Sequence, residues 1–228
     1  MSGKFSIVAT PIGNLGDLTF RALWNLKECT VIYAEDTRVT LKLLNHYGLR
    51  KPVFRLDAAT EERKAAEVID RLERGEHVVY VTDAGTPGIS DPGSRLISLI
   101  RANERTAEEI KIEAVPGPSA LTAALSIAGV SADQFLFLGF LPHKKGRQTA
   151  IKKIAASEIP VVLYESPHRI LKLLVELGKV SAKCRVTIAR ELTKIHEEVL
   201  SGTPIELHEK LEKGKKVRGE FVVIIEPS

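Results

Sequence analysis

Apolar, β-branched segments alternate with amphipathic helical patterns through the first half of this 228-residue chain. The segments predicted as strands are 5–10, 30–34, 52–56, 77–82 and 110–115. Apolar residues at helical spacing follow them and predict helices at 17–26, 37–47, 61–73, 91–103 and 119–128. Strands that alternate with helices in this way form βαβ units, so a mostly parallel sheet is predicted.

The second half has a different order of elements. Predicted strands are 134–140, 160–164, 184–189, 197–200 and 220–226, and predicted helices are 144–157, 167–178 and 204–211. The last strands are close together in the chain, which favours antiparallel pairing and a mixed sheet. The sequence therefore predicts two α/β domains, at 1–130 and 131–228.

The composition is typical of a globular protein, with 44% hydrophobic and 27% charged residues. No apolar run approaches the roughly 20 residues of a membrane helix, and the N-terminal apolar run is too short for a signal peptide. We therefore expect a cytoplasmic protein. Cys29 and Cys184 have no CxxC or histidine partner nearby, so neither a disulfide nor a metal site is expected.

The net charge of +4 is unevenly distributed. Residues 1–131 contain 16 basic and 17 acidic side chains, whereas residues 132–228 contain 17 basic and 12 acidic ones. A basic second half favours a polyanionic partner such as RNA. Solubility alone would also account for an excess of this size.

Three predicted strands of the first half end in loops rich in glycine and proline. These loops are 10–17, 83–93 and 116–120. Ligands of open α/β sheets bind beyond the carboxyl ends of strands, where glycine lets the backbone approach closely. The loops are therefore predicted to converge on a small molecule. The alternative is that they are only tight turns, with Asp91-Pro92 capping the next helix.

Two common nucleotide-binding patterns are missing from these loops. The chain has neither the GxxxxGK[ST] pattern of P-loop proteins nor the GxGxxG pattern of dinucleotide-binding domains. An acidic pair, Glu35-Asp36, ends the second predicted strand at a position that suits a ribose-binding acid.

Six motifs occur in order along nearly the whole chain. They are ATPIGNLGDLT at 9–19, AEDTR at 34–38, TDAGTPGISDPG at 82–93, PGPSA at 116–120, YESPHR at 164–169 and ARELTKIHEE at 189–198. Together they resemble the ribosomal RNA small subunit methyltransferase I family, within the tetrapyrrole methylase (class III) superfamily. The resemblance implies homodimers of two α/β domains with the active site in the cleft between them. It also implies 2′-O-methylation of a cytidine in the decoding region of 16S rRNA by S-adenosylmethionine (AdoMet).

The resemblance carries a set of AdoMet contacts onto this sequence. They are Pro11, Asp83, Gly85, Thr86, Pro87, Ile89, Ser119, Ala120, Leu163 and Tyr164, with Gly219 and Glu220 as weaker candidates. Thr86 stands where the wider superfamily has an aspartate, and Asp83 is the residue that could compensate.

A ribose hydroxyl is a poor nucleophile, so something must accept its proton or stabilise the alkoxide. The candidate catalytic residues in the motifs are Asp36, Glu165, Glu191 and Lys194, with His168 as a further possibility. Four of them have a structural alternative, which for His168 is an ordinary histidine at the start of a helix. Asp36 could pair with Arg38, Glu165 could cap a helix, and Glu191 could form an ion pair with Arg190.

Basic residues near the motifs are candidates for contacts with rRNA phosphates. They are Arg38, Arg169 and Arg190, together with Lys144, Lys145 and Arg147 at the start of the first helix of the second half. The alternative for that helix is a solvated basic face. Aromatic residues are only 5% of the chain, so no stacking platform for single-stranded RNA is evident.

The sequence leaves two other functions open. One is a corrinoid or porphyrinoid methyltransferase of the same superfamily, since arginines would also suit the carboxylates of such substrates. The other is a ribosome-binding factor without catalytic activity, which would not bind AdoMet.

Overall fold

The computed structural model describes residues 3–103, 110–214 and 217–227. The chain divides into two compact units, Met1–Ser119 and Ala120–Ser228. Each unit contains one five-stranded sheet. The helix predicted at 119–128 therefore lies in the second unit, although the sequence analysis placed the boundary near residue 130.

The first unit is a parallel α/β structure, as predicted. Its strands are β1 (Lys4–Val8), β2 (Val31–Ala34), β3 (Val53–Arg55), β4 (His77–Val81) and β5 (Lys111–Val115). Its helices are α1 (Phe20–Glu28), α2 (Thr37–His46), α3 (Glu61–Glu73) and α4 (Ser94–Ala102). The strand order is β3-β2-β4-β1-β5, and every pair is parallel.

Both faces of this sheet are covered, which explains the nearly continuous apolar strands. On one face, Phe5, Tyr33 and Tyr80 pack with apolar residues of α3 and α4. On the other, Ile32 and Val79 pack with apolar residues of α1 and α2. The order of strands places β1 between β4 and β5, so the loops that follow these three strands leave the sheet side by side.

The second unit has a mixed sheet, which confirms the prediction. Its strands are β6 (Leu136–Phe140), β7 (Val161–Glu165), β8 (Val186–Arg190), β9 (Glu198–Gly202) and β10 (Phe221–Ile225), in the order β6-β7-β10-β8-β9. Only β6 and β7 are parallel; the other neighbours are antiparallel.

The described residues of the second unit form four helices. They are α5 (Ala120–Ala128), α6 (Arg147–Ala155), α7 (Ile170–Val180) and α8 (Pro204–Lys213). Apolar residues of α6, α7 and α8 form one core with the sheet, whereas α5 contacts β8 and β10. Helix α8 begins at Pro204 because Thr203 and Glu206 form a capping box around its first turn. Across the described residues, no helix is both long enough and apolar enough to cross a membrane.

Candidate active site

The loops that follow β1, β4 and β5 are joined by hydrogen bonds. Thr10 and Gly85 exchange two backbone hydrogen bonds, of 2.9 and 3.0 Å. The Thr86 hydroxyl donates to the carbonyl oxygen of Pro118 at 3.1 Å. The predicted convergence of the three loops is therefore confirmed, and it follows from the adjacent positions of the strands.

The first-unit residues predicted to contact AdoMet belong to these loops and differ in their exposure to solvent. Gly85 and Pro87 are buried, whereas Asp83 and Ile89 are exposed; Pro11, Thr86 and Ser119 are half-buried. Gly85 has φ +79°, and a Cβ added there would lie 3.4 Å from Ile12 Cγ2 and 3.7 Å from the Pro118 carbonyl oxygen. Glycine therefore keeps the three loops in contact and their backbone accessible, an arrangement that suits a small polar cofactor.

A residue that sequence reasoning missed anchors the far end of the 83–93 loop. The Glu61 carboxylate is only 5% exposed and accepts the backbone N–H groups of Gly93 at 2.9 Å and Leu96 at 2.8 Å. It thus supplies the acceptor at the start of α4, whose own N-cap, Gly93, has no side chain. The predicted capping by Asp91-Pro92 was wrong, since α4 begins at Ser94.

Several carboxylates lie close enough to the loop to repel one another. Burial, and then the charges of Glu35 and Asp83, raise the pKa of Asp91 from 3.8 to about 6. Burial and Asp83 also raise the pKa of Glu35. The end of this loop is thus destabilised when Glu35, Asp83 and Asp91 are all charged.

Asp91 should make stability depend on pH. Between about pH 4 and about pH 6, folded Asp91 keeps a proton that the unfolded chain has released, so its contribution to stability falls as pH rises through this window. We expect the free energy of unfolding of Asp91→Asn, relative to that of the unmodified protein, to increase as pH rises from 4.5 to 7.5. Urea unfolding at four pH values measures this difference. Asp70→Asn, at an exposed carboxylate on α3, is the control, and an equal pH dependence in both variants would contradict the assignment.

Asp36 caps a helix. Its carboxylate accepts the backbone N–H of Arg38 at 2.8 Å and pairs with the Arg38 guanidinium. These hydrogen bonds, from the side chain first and then the backbone, lower the pKa of Asp36 to about 2. Asp83 in turn accepts the Asp36 backbone N–H at 3.0 Å. The paired Asp36 carboxylate is therefore a weak base.

Glu165 is buried in an ion-pair network of the second unit. Its side chain contacts Arg169 Nε at 2.9 Å and Arg147 Nη1 at 3.6 Å, and it accepts the Ser166 backbone N–H at 2.8 Å. Arg147 is itself 3% exposed and pairs with Glu176 at 2.8 Å. The network ties the end of β7 to α6 and α7.

This network corrects two predictions and gives a third residue a structural contact. Glu165 is only 1% exposed and already carries two arginine partners, so it is a structural residue in this unit and is not placed to accept a substrate proton. Arg147 is enclosed, so its guanidinium is not available to phosphates. Arg169 is half-buried and donates to the Leu141 carbonyl oxygen at 3.0 Å, so it has a structural contact, and its contact with a phosphate stays a prediction.

Arg190 also has a structural position. It is 7% exposed, its guanidinium lies 3.1 Å from Glu198 across the β8–β9 pair, and it donates to the Arg218 carbonyl oxygen at 3.4 Å. The prediction of a phosphate contact at Arg190 is therefore wrong in this structure. Arg190 pairs with Glu198, and its charge also helps to lower the pKa of Glu191.

Glu191 and Lys194 are brought together after β8. The Lys194 ammonium group donates to Glu191 at 2.8 Å and to Glu220 at 2.8 Å. Burial opposes the charge on both Glu191 and Lys194, but their mutual hydrogen bond and the contacts with Glu220 outweigh it. The pKa of Glu191 is therefore lowered and that of Lys194 is raised. Lys194 is thus a cation in a fixed position.

Backbone strain coincides with the motifs. In the described parts of the chain, positive φ at non-glycine residues occurs at Ser90, Glu191 and Thr193. Ser90 belongs to the 83–93 loop, and the other two lie in the turn at 191–197, between β8 and β9. Such conformations are unfavourable for ordinary side chains and are often found at functional sites. Their positions support a functional role for both loops.

The remaining predicted residues lie in the second unit at different depths. Leu163 is fully buried in the core, so only its backbone could contact a cofactor. Tyr164 is half-buried and packs against Phe137 and Phe140. Ala120 begins α5 and is half-buried. Lys144, Lys145 and His168 are exposed.

Comparison with known proteins agrees with the motifs. Residues 4–207 match the tetrapyrrole (corrin/porphyrin) methylase family. The ribosomal RNA small subunit methyltransferase I of Borrelia garinii is 44% identical over 97% of this chain and 98% of its own length. The protein of the same name from Thermotoga maritima is 41% identical, with 98% of both chains covered. This chain belongs to the ribosomal RNA small subunit methyltransferase I family, within the tetrapyrrole methylases.

Solved structures of tetrapyrrole methylase fold support the architecture. A cobalt precorrin-4 methyltransferase superposes with a TM-score of 0.69 at 19% identity, covering 98% of this chain and 94% of its own. Diphthine synthase superposes with a TM-score of 0.72 at 16% identity, covering 99% and 90%. These similarities confirm the predicted fold. Membership of the methyltransferase I family confirms the predicted family and its AdoMet-dependent methyl transfer.

Proposed function

We propose that this methyltransferase transfers a methyl group from AdoMet to the ribose 2′-hydroxyl of a cytidine in the decoding region of 16S rRNA. The observation that carries the proposal is the near-full-length similarity to small subunit rRNA methyltransferases. The joined loops after β1, β4 and β5 support it, because they put three of the six motifs at one edge of a sheet.

The first-unit residues proposed to hold AdoMet belong to those loops. They are Pro11, Asp83, Gly85, Thr86, Pro87, Ile89 and Ser119. For Ala120, the backbone of Leu163 and Tyr164, which belong to the second unit, the AdoMet contact stays a prediction. AdoMet supplies an already activated sulfonium methyl group, so the protein contributes mainly by positioning. Thr86 donates its hydroxyl hydrogen to the Pro118 carbonyl oxygen and so holds two of these loops together.

Lys194 is the proposed stabiliser of the ribose alkoxide. It is a cation, 30% exposed in its side chain, and is held by Glu191 and Glu220. A fixed positive charge lowers the free energy of an oxyanion that forms beside it. Glu191 is then a positioning residue, because its lowered pKa makes it a poor proton acceptor. Among the other candidates, Asp36 is paired with Arg38, and Glu165 is buried.

The experiment that tests the proposal follows labelled methyl transfer to purified small ribosomal subunits, with the modified nucleotide located by nuclease digestion. The unmodified protein should label one cytidine at its 2′-oxygen. Lys194→Met should lower kcat about 10²–10³-fold, a typical loss when one oxyanion-stabilising donor is removed. The affinity for AdoMet, measured by calorimetry, should stay within about twofold, and Lys194→Arg should recover part of the rate if charge is what matters.

Lys183→Met is the control for this substitution, since Lys183 is exposed in the turn between α7 and β8. It should methylate at the unmodified rate. If Lys194→Met methylated at the normal rate, the role proposed for Lys194 would be contradicted, but the proposed reaction would not. Transfer to a base instead of a ribose, or no transfer to small subunits by the unmodified protein, would contradict the proposed function.

The proposal extends to partners. Exposed Arg38, Lys144 and Lys145 are retained as rRNA phosphate contacts, and the protein is proposed to act as a homodimer in the cytoplasm, where its substrate is. The pair with Asp36 leaves the Arg38 side chain 85% exposed, so it can still meet a phosphate.

A further inference from the structure

A groove in the second unit lies outside every sequence motif. It runs beside α6 and α7, has a volume of about 450 Å³, and is lined by Gln148, Lys172, Val175, Glu176, Lys179 and Val180. Lys172 and Lys179 are seven residues apart on α7, which places them on one face of the helix about 10 Å apart along its axis. The groove is therefore a short channel with a cation towards each end.

The single acid of the groove is already neutralised. The Glu176 carboxylate accepts hydrogen bonds from buried Arg147 at 2.8 Å and from Gln148 at 3.1 Å. By contrast, within the described residues no carboxylate lies within ion-pair distance of Lys172 or Lys179. The buried arginine thus cancels the acid, and the two exposed lysines give the groove its positive charge.

The surrounding surface extends this charge. Lys152 follows Gln148 by one turn of α6, Lys153 is its neighbour, and both are exposed. Lys144 and Lys145 are exposed just before α6. Beside the lysines, Val175 is 44% exposed and Val180 is 42% exposed, which offers apolar surface that can pack against sugars. Cations spaced along an apolar channel complement a nucleic-acid backbone better than a compact anion.

We propose that the α6–α7 groove binds the sugar-phosphate backbone of the rRNA substrate, with Lys172 and Lys179 each contacting a phosphate. The inference rests on the proposed function and names the surface that holds its RNA. The sequence predicted a phosphate contact at Arg147. In the structure Arg147 is buried and neutralises Glu176, and the lysines of the groove are proposed to contact phosphates instead.

The test compares K172Q/K179Q with the unmodified protein in binding to small ribosomal subunits over a series of salt concentrations. Affinity for RNA falls as salt rises, and each phosphate contact contributes about 0.7–0.9 to the steepness of log affinity against log salt concentration. The double variant should therefore show a slope that is less steep by about 1.4–1.8. Its affinity at low salt should fall roughly tenfold or more. AdoMet affinity and the unfolding transition should not change, since both side chains are on the surface.

K210Q/K213Q is the matched control, because it removes the same charge from an exposed stretch of α8 in the same unit. A salt slope that falls equally in both double variants would show a general charge effect and would overturn the groove assignment. An unchanged slope in K172Q/K179Q would also overturn it. If the unmodified protein methylated no small subunit, the proposed function would fail by itself, whatever the slopes.

Discussion

Arg147→Ala should lower the free energy of unfolding of the second unit by about 3–5 kcal/mol, the usual cost of removing one partner from a buried ion pair. Arg147 is 3% exposed and is paired with Glu176 and Glu165. Its removal would leave Glu165 with Arg169 alone and would deprive Glu176 of its nearest cation. Urea unfolding followed by circular dichroism would measure the loss.

The control for this prediction is Lys145→Ala, two residues earlier in the chain and exposed. It should change stability by no more than about 0.5 kcal/mol. If Arg147→Ala unfolded at the same urea concentration as Lys145→Ala, Arg147 would have to be a surface residue. The RNA-contact prediction from the sequence would then be restored. Arg147→Lys should be only a partial substitute, because one ammonium group cannot match the geometry of the guanidinium.

Gly85→Val should weaken AdoMet binding at least tenfold, or about 1.4 kcal/mol, by comparison with Gly48→Val. Both glycines have positive φ, +79° and +67°, so valine strains the backbone at each. A side chain at Gly48 meets nothing within 4 Å, whereas one at Gly85 enters the space between Ile12 and Pro118. Only Gly85→Val should therefore separate the loops proposed to hold the cofactor.

Calorimetric titration with AdoMet, together with thermal unfolding of both variants, makes this comparison. Gly85→Val should cost more stability than Gly48→Val, because loop separation adds to a similar backbone strain. Equal AdoMet affinities in the two variants would show that the loop junction does not form the cofactor site. A Gly85→Val protein that failed to fold would be replaced by Gly85→Ala, whose single methyl group makes contacts of 3.4 Å or longer.

The architecture of each unit could be predicted from local patterns. Continuous apolar strands separated by amphipathic helices indicated a parallel sheet, because burial on both faces needs such strands. Closely spaced strands late in the chain indicated antiparallel pairing. The glycine- and proline-rich loops could likewise be predicted to meet, since parallel strands end at one edge of a sheet. The order β3-β2-β4-β1-β5 had no local signal.

The roles of individual charged residues could not be predicted in the same way. Arg147 belongs to the basic start of a helix, as Lys144 and Lys145 do, yet only Arg147 points inward to meet Glu165 and Glu176. Glu61 has the sequence surroundings of an ordinary surface acid at the start of a helix. Its capping of α4 depends on a contact with Gly93, 32 residues away.

The sequence by itself determined the fold class, the family and the loops that carry the motifs, because these depend on residue type and on spacing over a few turns or strands. Only the tertiary structure decided which charged side chains are buried partners and which remain free for a substrate. It also assigned α5 to the second unit. The physical reason is that burial and ion pairing depend on groups tens of residues apart in the chain, whose distance is fixed only when the sheets and helices have packed.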